Sequence, residues 1–255
     1  MYNTLKRALG ERLAAFLSKD LPGYQRLDTV EIAAVADTLE RGDIVLVDGN
    51  TRISTAIKYL TQSTWSHACL FVGERGADSS ELNLLEADLK NGVHLVSLDH
   101  YANFNLRICR PVNLNDEESA QLVDFAQQRI GHQYDLKNVL DLIRYVVQKP
   151  AVPNRYRRSL LSLGSGEPTK AICSTLIAES FQSINYPILP RRHGEGGEAG
   201  EVPLLYKPHF THFTPRDFDL SPYFRIIKPT IESGFDHHSL DWEPDGTEAD
   251  RESAS

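Results

Sequence analysis

"STWSHACLFVG", residues 63–73, sets a histidine at the mouth of a run that otherwise reads as a buried β-strand. The run is apolar and rich in strand-forming side chains, and it stops at Gly73. Side chains alternate across a strand, so His67, Cys69 and Phe71 share one face, and Ala68, Leu70 and Val72 share the other. A lone histidine at such a place is ordinarily satisfied by a backbone carbonyl. As half of a reactive pair it needs a nucleophile from an element distant in sequence.

"AICSTLIAESF", residues 171–181, offers that nucleophile at the start of a helix. Leu176, Ile177, Ser180 and Phe181 form the stripe that anchors the helix on a sheet. A cysteine taken alone is more often a small buried hydrophobe. At a helix start, however, exposed N–H groups and the helix dipole favour thiolate over thiol. The same N–H groups can receive an oxyanion. His67, placed to reach a helix start packed against the sheet, would take the thiol proton and return it to a leaving group. Glu86, at the end of the apolar run "LNLLEAD" (residues 82–88), shares a face with Leu82 and Leu84 and is the first choice to orient the ring. His94, in "GVHLVSL" (residues 92–98), is the rival orienter.

Around these segments, "RGDIVLVDG" (41–49) and "FNLRICRP" (104–111) add further short strands joined by Gly, Asp and Asn turns. The succession predicts a mainly antiparallel sheet in an α+β fold. Helices are expected at "LDTVEIAAVADTLE" (27–40), "STAIKYLT" (54–61) and "DLKNVLDLIRYVVQ" (135–148). Another is expected at "NDEESAQLVDFAQQRI" (115–130), where Asn115 and Glu118 have capping-box spacing. Leu5, Leu9, Leu13, Phe16 and Leu17 recur at helical spacing and predict an N-terminal helix packed on the core, the same pattern serving for peripheral membrane contact.

Composition narrows the classes. Of the formal charge of -8, residues 232–255 carry eight acids against one base. The rest is nearly neutral, which speaks against nucleic acid as a partner. The acidic tail has almost nothing to bury and is expected to be disordered. No stretch reaches the roughly 20 apolar residues of a membrane span, and the N-terminus has no signal-peptide core. Three cysteines (Cys69, Cys109 and Cys173) cannot all pair within one chain, so a reduced, cytoplasmic setting is the simpler expectation. "GEGGEAG" (194–200) lacks the lysine and the strand-to-helix context of a phosphate loop. His209 and His212, with His193, His237 and His238 nearby in sequence, do not make a compact zinc set. Neither a metal nor another cofactor is expected.

Taken together, "RGDIVLVDG", "STWSHACLFVG", "LNLLEADLKNGVHLVSL", "IGHQYD" and "AICSTLIAESF" resemble the circularly permuted papain-like branch of the NlpC/P60 superfamily, in particular its YiiX/YaeF-like members. In that branch the histidine strand precedes the cysteine helix, as His67 precedes Cys173 here. The resemblance implies a permuted papain-like fold, an antiparallel sheet packed against helices. Residues 41–231 would form the catalytic domain, 1–40 a helical extension and 232–255 the tail. It implies Cys173 as nucleophile, His67 as base, Glu86 as third polar group and Tyr134 of the "GHQYD" segment as a substrate or oxyanion contact. Trp65 and Ser66 flank His67 and are candidates to shape the same pocket. The implied activity is a cysteine hydrolase of amide or ester bonds acting on a small-molecule, peptide or lipid substrate. Acyl transfer by the same dyad and an inactive binding module of the same fold stand as alternatives.

Overall fold

Short apolar runs separated by turn residues pair into one six-stranded sheet, in the spatial order Gly92–Ser97, Leu82–Asp88, His67–Glu74, Ile44–Val47, Leu106–Pro111 and Phe224–Ile227, every pairing antiparallel. The computed structural model describes residues 15–27, 30–74, 82–88, 90–132, 172–192 and 205–240. In chain order the elements are α1 (Ile32–Thr38), β1 (Ile44–Val47), α2 (Arg52–Thr61), β2 (His67–Glu74), β3 (Leu82–Asp88), β4 (Gly92–Ser97), β5 (Leu106–Pro111) and α3 (Asp116–Gln127). They continue with α4 (Ile172–Ser183), a two-stranded ribbon of β6 (Arg191–Arg192) and β7 (Leu205–Tyr206), α5 (Pro215–Leu220), β8 (Phe224–Ile227) and α6 (Pro229–Glu232).

Two apolar layers sandwich the sheet. On one face Ile44, Leu46, Ala68, Leu70 and Leu85 pack against Leu122 and Val123 of α3 and Leu176, Ile177 and Phe181 of α4. On the other, Val45, Val47, Cys69, Phe71, Leu84 and Ile108 meet Val35 of α1 together with Leu98 and Tyr101. Burial on both faces explains why β1 is a continuous apolar run rather than an alternating one. Leu176 and Phe181 have no exposed surface, so truncating either to alanine should cost about 2–5 kcal/mol.

Local chemistry sets the ends of the helices. The Asn115 side chain accepts the Glu118 N–H and the Glu118 carboxylate accepts the Asn115 N–H, the reciprocal box its spacing predicts. Thr51 caps α2, and Gln62 closes it in the left-handed region at φ 54°. The first helix is shorter than its apolar spacing suggests. It begins at Ile32, and the backbone turns extended at Leu39. Of the expected N-terminal helix running through Leu5 to Leu17, residues 15–17 are helical with Leu17 buried, while residues 1–14, the helix expected at 135–148, the GEGGEAG stretch (194–200) and the tail beyond 240 lie outside the described residues.

One discontinuity in the sheet positions everything that follows. The β2–β3 register ends at Leu70–Leu85, yet β2 runs on beside β1 to the His67–Val47 pair, and β3 beside β4 to Asp88–Gly92. The Phe71 N–H donates to the Asp43 carbonyl, so in an antiparallel ladder the odd residues of β2 bond to β1 and the even ones face β3. Leu70 finds Leu85 there. Ala68, one step further, faces a gap between parted strands.

Candidate active site

Cys173 enters that gap from the first turn of α4. The N–H groups of Ala68 and Ser174 donate to its sulfur, and His67 is its side-chain hydrogen-bond partner. The body of α4 packs on the Ala68–Leu70 face, not on the face shared by His67, Cys69 and Phe71. Contact across the sheet is made at the end of β2, where the missing ladder leaves an opening. Cys173 is 4% exposed, and burial alone would keep the thiol neutral. The His67 charge and hydrogen bond overcome that desolvation and hold the Cys173 pKa below its usual value. Burial pulls His67 the other way, toward the neutral ring. The charges of Cys173 and Glu86 outweigh it and raise the imidazolium pKa well above the usual range. The two groups favour each other's charged form.

Glu86 stands behind His67 as a buried hub. His67 Nε2 lies 2.6 Å from its Oε2, and the same oxygen accepts the Tyr101 hydroxyl and, at 3.5 Å, the Cys69 thiol. His94 Nε2 reaches the other oxygen, Oε1, at 3.2 Å, with its Nδ1 3.0 Å from the Gly92 carbonyl. Burial would raise the Glu86 pKa, but His67, Tyr101 and His94 bring it down to about 2. An oxygen that accepts so many donors is an acceptor only. His67 Nε2 therefore carries the hydrogen, which leaves Nδ1 for the sulfur. Both expected orienters thus converge: Glu86 touches His67, and His94 touches Glu86 from behind.

Two neighbours were not singled out by sequence. Tyr101 ends a 3-10 turn after β4 (Leu98–Tyr101), and nothing in its local pattern marks it. Burial, with the Glu86 charge beside it, pushes its pKa far up, so the phenol stays neutral and donates. Cys69 was visible as a strand-face neighbour of His67. Burial pushes its thiol up to about 11, so it remains protonated beside Glu86. Cys109 is also buried and shifted upward by desolvation.

The residues flanking His67 are engaged elsewhere. The Ser66 hydroxyl accepts the Gly49 N–H at 3.0 Å and lies 3.5 Å from the Val47 carbonyl, closing the turn into β2. Trp65 donates Nε1–H to Asp219 at 3.2 Å, and Arg107, itself paired with Asp219 at 2.7 Å, sits over the indole. These contacts tie the entry of β2 to α5. Tyr134 lies outside the described residues.

Ligand-capable atoms come within 4.8 Å of one another in three groups: His67, Cys69 and Glu86; Glu86, Asp88 and His94; and, at the surface, Asp236, His237 and His238. In the first, the 2.6 Å contact is a direct hydrogen bond, shorter than the roughly 3.3 Å between two ligands about 2.0 Å from a tetrahedral zinc. In the second, Asp88 is committed to the β3–β4 turn, accepting from the Lys90 and Asn91 N–H groups and from the Asn91 amide. Both read as hydrogen-bond networks. His209 is paired with Thr211 at the surface, and no such group among the described residues joins it to His212. No helix among the described residues is long and apolar enough to cross a membrane.

Residues 38–145 match a family described as permuted papain-like amidase enzyme, YaeF/YiiX, C92 family. The matched stretch holds His67, Glu86, His94 and Tyr101 and ends before Cys173. Among solved structures, that of metalloprotein yiiX from Escherichia coli O157:H7 aligns at 15% identity and a TM-score of 0.39, covering 74% of this chain and 96% of that one. No curated protein matches. Over residues 38–145, less than half of the chain, the protein is thus similar to the permuted papain-like amidases of the YaeF/YiiX type, and its antiparallel sheet packed against helices is an α+β fold consistent with that likeness.

Proposed function

We propose that the protein is a cysteine hydrolase of amide or ester bonds in which Cys173 is the nucleophile, His67 the base and Glu86 the orienting carboxylate. The observation that carries this reading is the contact chain in which buried Cys173 is hydrogen-bonded to His67 and Glu86 holds the far side of the ring at 2.6 Å, an arrangement that favours the charged form of both Cys173 and His67. A structural cysteine in an apolar pocket shifts the other way, as Cys69 and Cys109 do.

The Cys173 thiolate attacks the substrate carbonyl while His67 holds the proton. The oxyanion forms at the start of α4, where the Cys173 N–H supplies one donor. The Ala68 N–H, left over where β2 and β3 part, supplies a second as the sulfur gives up its charge to the new bond. Collapse breaks the scissile bond, and His67 passes its proton to the departing amine or alcohol, leaving a thioester on Cys173. His67, neutral again, takes a proton from water, whose oxygen attacks the thioester and releases the acid. Glu86 keeps the ring in the tautomer both half-reactions need.

Intact-mass analysis after exposure to separate pools of peptides, acylated amines and lipid esters tests the reading. The expected result is a mass increment equal to one acyl group, localised to Cys173, absent in Cys173→Ala and discharged by water. An increment discharged only when an amine or alcohol acceptor is added would assign acyl transfer instead. No increment with any pool, with Cys173 no more reactive than Cys69, would identify a binding module.

A further inference from the structure

Resting on the dyad reading above, we propose that Tyr101 is a positioning residue that assigns the shared carboxylate of Glu86 to His67 rather than to His94. Glu86 lies between two imidazoles, His67 on Oε2 at 2.6 Å and His94 on Oε1 at 3.2 Å. The two nitrogens of His94 lie against acceptors, Nδ1 at the Gly92 carbonyl and Nε2 at Glu86 Oε1, so the ring is held in place facing the carboxylate. It is the natural competitor for a group the catalytic ring needs.

The phenol of Tyr101 biases the contest. It donates to Oε2, the oxygen that His67 uses, and the ring is fixed by edge contacts to His100 and Phe104. A carboxylate that rotates toward His94 must break the bonds to Tyr101 and His67 together. Without the hydroxyl, only the His67 bond and the weak Cys69 thiol contact resist. The charged and titratable groups around Glu86 are His67 and Cys69 from β2, Asp88 from β3, His94 from β4, Tyr101 and His100 from the 3-10 turn, and Cys173 beyond His67. Among them, His94 is the one shown in contact with Oε1.

The readout is the rate at which iodoacetamide alkylates Cys173, followed by intact mass and peptide mapping against pH. Tyr101→Phe keeps the ring and its packing. It should slow alkylation at neutral pH at least tenfold and move the pH of half-maximal rate upward, because His67 loses its counter-charge and supports the thiolate less. Tyr101→Phe combined with His94→Ala should recover most of the rate, since the competitor is gone. A purely structural tyrosine would lower the melting temperature without moving the pH midpoint, and His94→Ala would not restore the rate. That outcome, or parental kinetics in Tyr101→Phe, overturns the assignment. His67→Ala serves as the reference. If it slows the parental reaction while Tyr101→Phe does not, the positioning role alone fails. If His67→Ala has no effect, the dyad reading fails first.

Discussion

Two buried carboxylates mark the opposite ends of the β1–β2 pair, and they are handled in opposite ways. At the Ile44–Leu70 end, Asp43 is 1% exposed and gripped by Arg110 through Nε at 2.9 Å and Nη2 at 2.7 Å, with the Glu40 N–H adding a third bond at 2.8 Å. At the His67–Val47 end, Glu86 is 5% exposed and held by imidazoles, a phenol and a thiol. Desolvation outweighs the guanidinium for Asp43, and the nearby Glu40 charge adds to it, so its pKa is raised. Glu86 collects enough donors and cations to be lowered to about 2. A guanidinium cannot give up its proton at working pH, so the Asp43 pair is a fixed tie. A ring nitrogen can, so the Glu86 cluster can take part in proton transfer.

The largest effect should come from breaking the tie. Arg110→Met leaves Asp43 buried and uncompensated, and should cost about 3–5 kcal/mol in denaturant unfolding. Under conditions where the variant is folded, Cys173 should alkylate at the parental rate. A slowed Cys173 would mean that the two ends are coupled through β1. Next in size is acid sensitivity. Glu86 has a folded pKa below its unfolded value of about 4.3, so the stability it contributes is fully present above that pH and lost as pH falls toward 2. The loss should be on the order of 2–3 kcal/mol over that window. Glu86→Gln should flatten that part of the stability-versus-pH curve and slow Cys173 alkylation at neutral pH by about tenfold or more. An unchanged acid limb would show that Glu86 is not the charge that the two histidines hold.

The remaining effects are small. Cys69→Ala removes a long, weak contact to Glu86, and Cys173 should still react within about threefold of the parental rate. Residues 235–240 are exposed throughout, and the tail from 232 is read as a separate acidic segment. Truncation after Gly234 should move the melting midpoint by no more than that of an ordinary surface change, about 0.5 kcal/mol. A larger drop would show that Phe235 or Leu240 docks on the core.

The contrast also explains what was legible in the sequence. The strand run around His67, the helix run after Cys173, and the alternation that puts Glu86 beside Leu84 are local patterns, and the sheet and helices follow them. Asn115 with Glu118 is likewise local, and the capping box forms. Three things are not local. Tyr101 acquires its place only because β4 pairs with β3 and the chain then turns back over Glu86. The face on which α4 packs is not legible either, since alternation along β2 does not reveal where its ladder to β3 stops. The engagement of Trp65 with Asp219 and Arg107 joins residues more than a hundred positions apart. Tertiary pairing, not propensity, decides all three.

The most direct test of the account is the relative reactivity of the three thiols as pH is varied. Iodoacetamide alkylation of the native protein, resolved by peptide mapping, should modify Cys173 first, with a rate that begins to rise below the ordinary thiol pKa of about 8.5, while Cys69 and Cys109 stay unmodified. His67→Ala should return the Cys173 profile to that of an ordinary or buried thiol. Equal labelling of all three cysteines, or a Cys173 profile untouched by His67→Ala, would contradict the claim that these two residues form an activated pair.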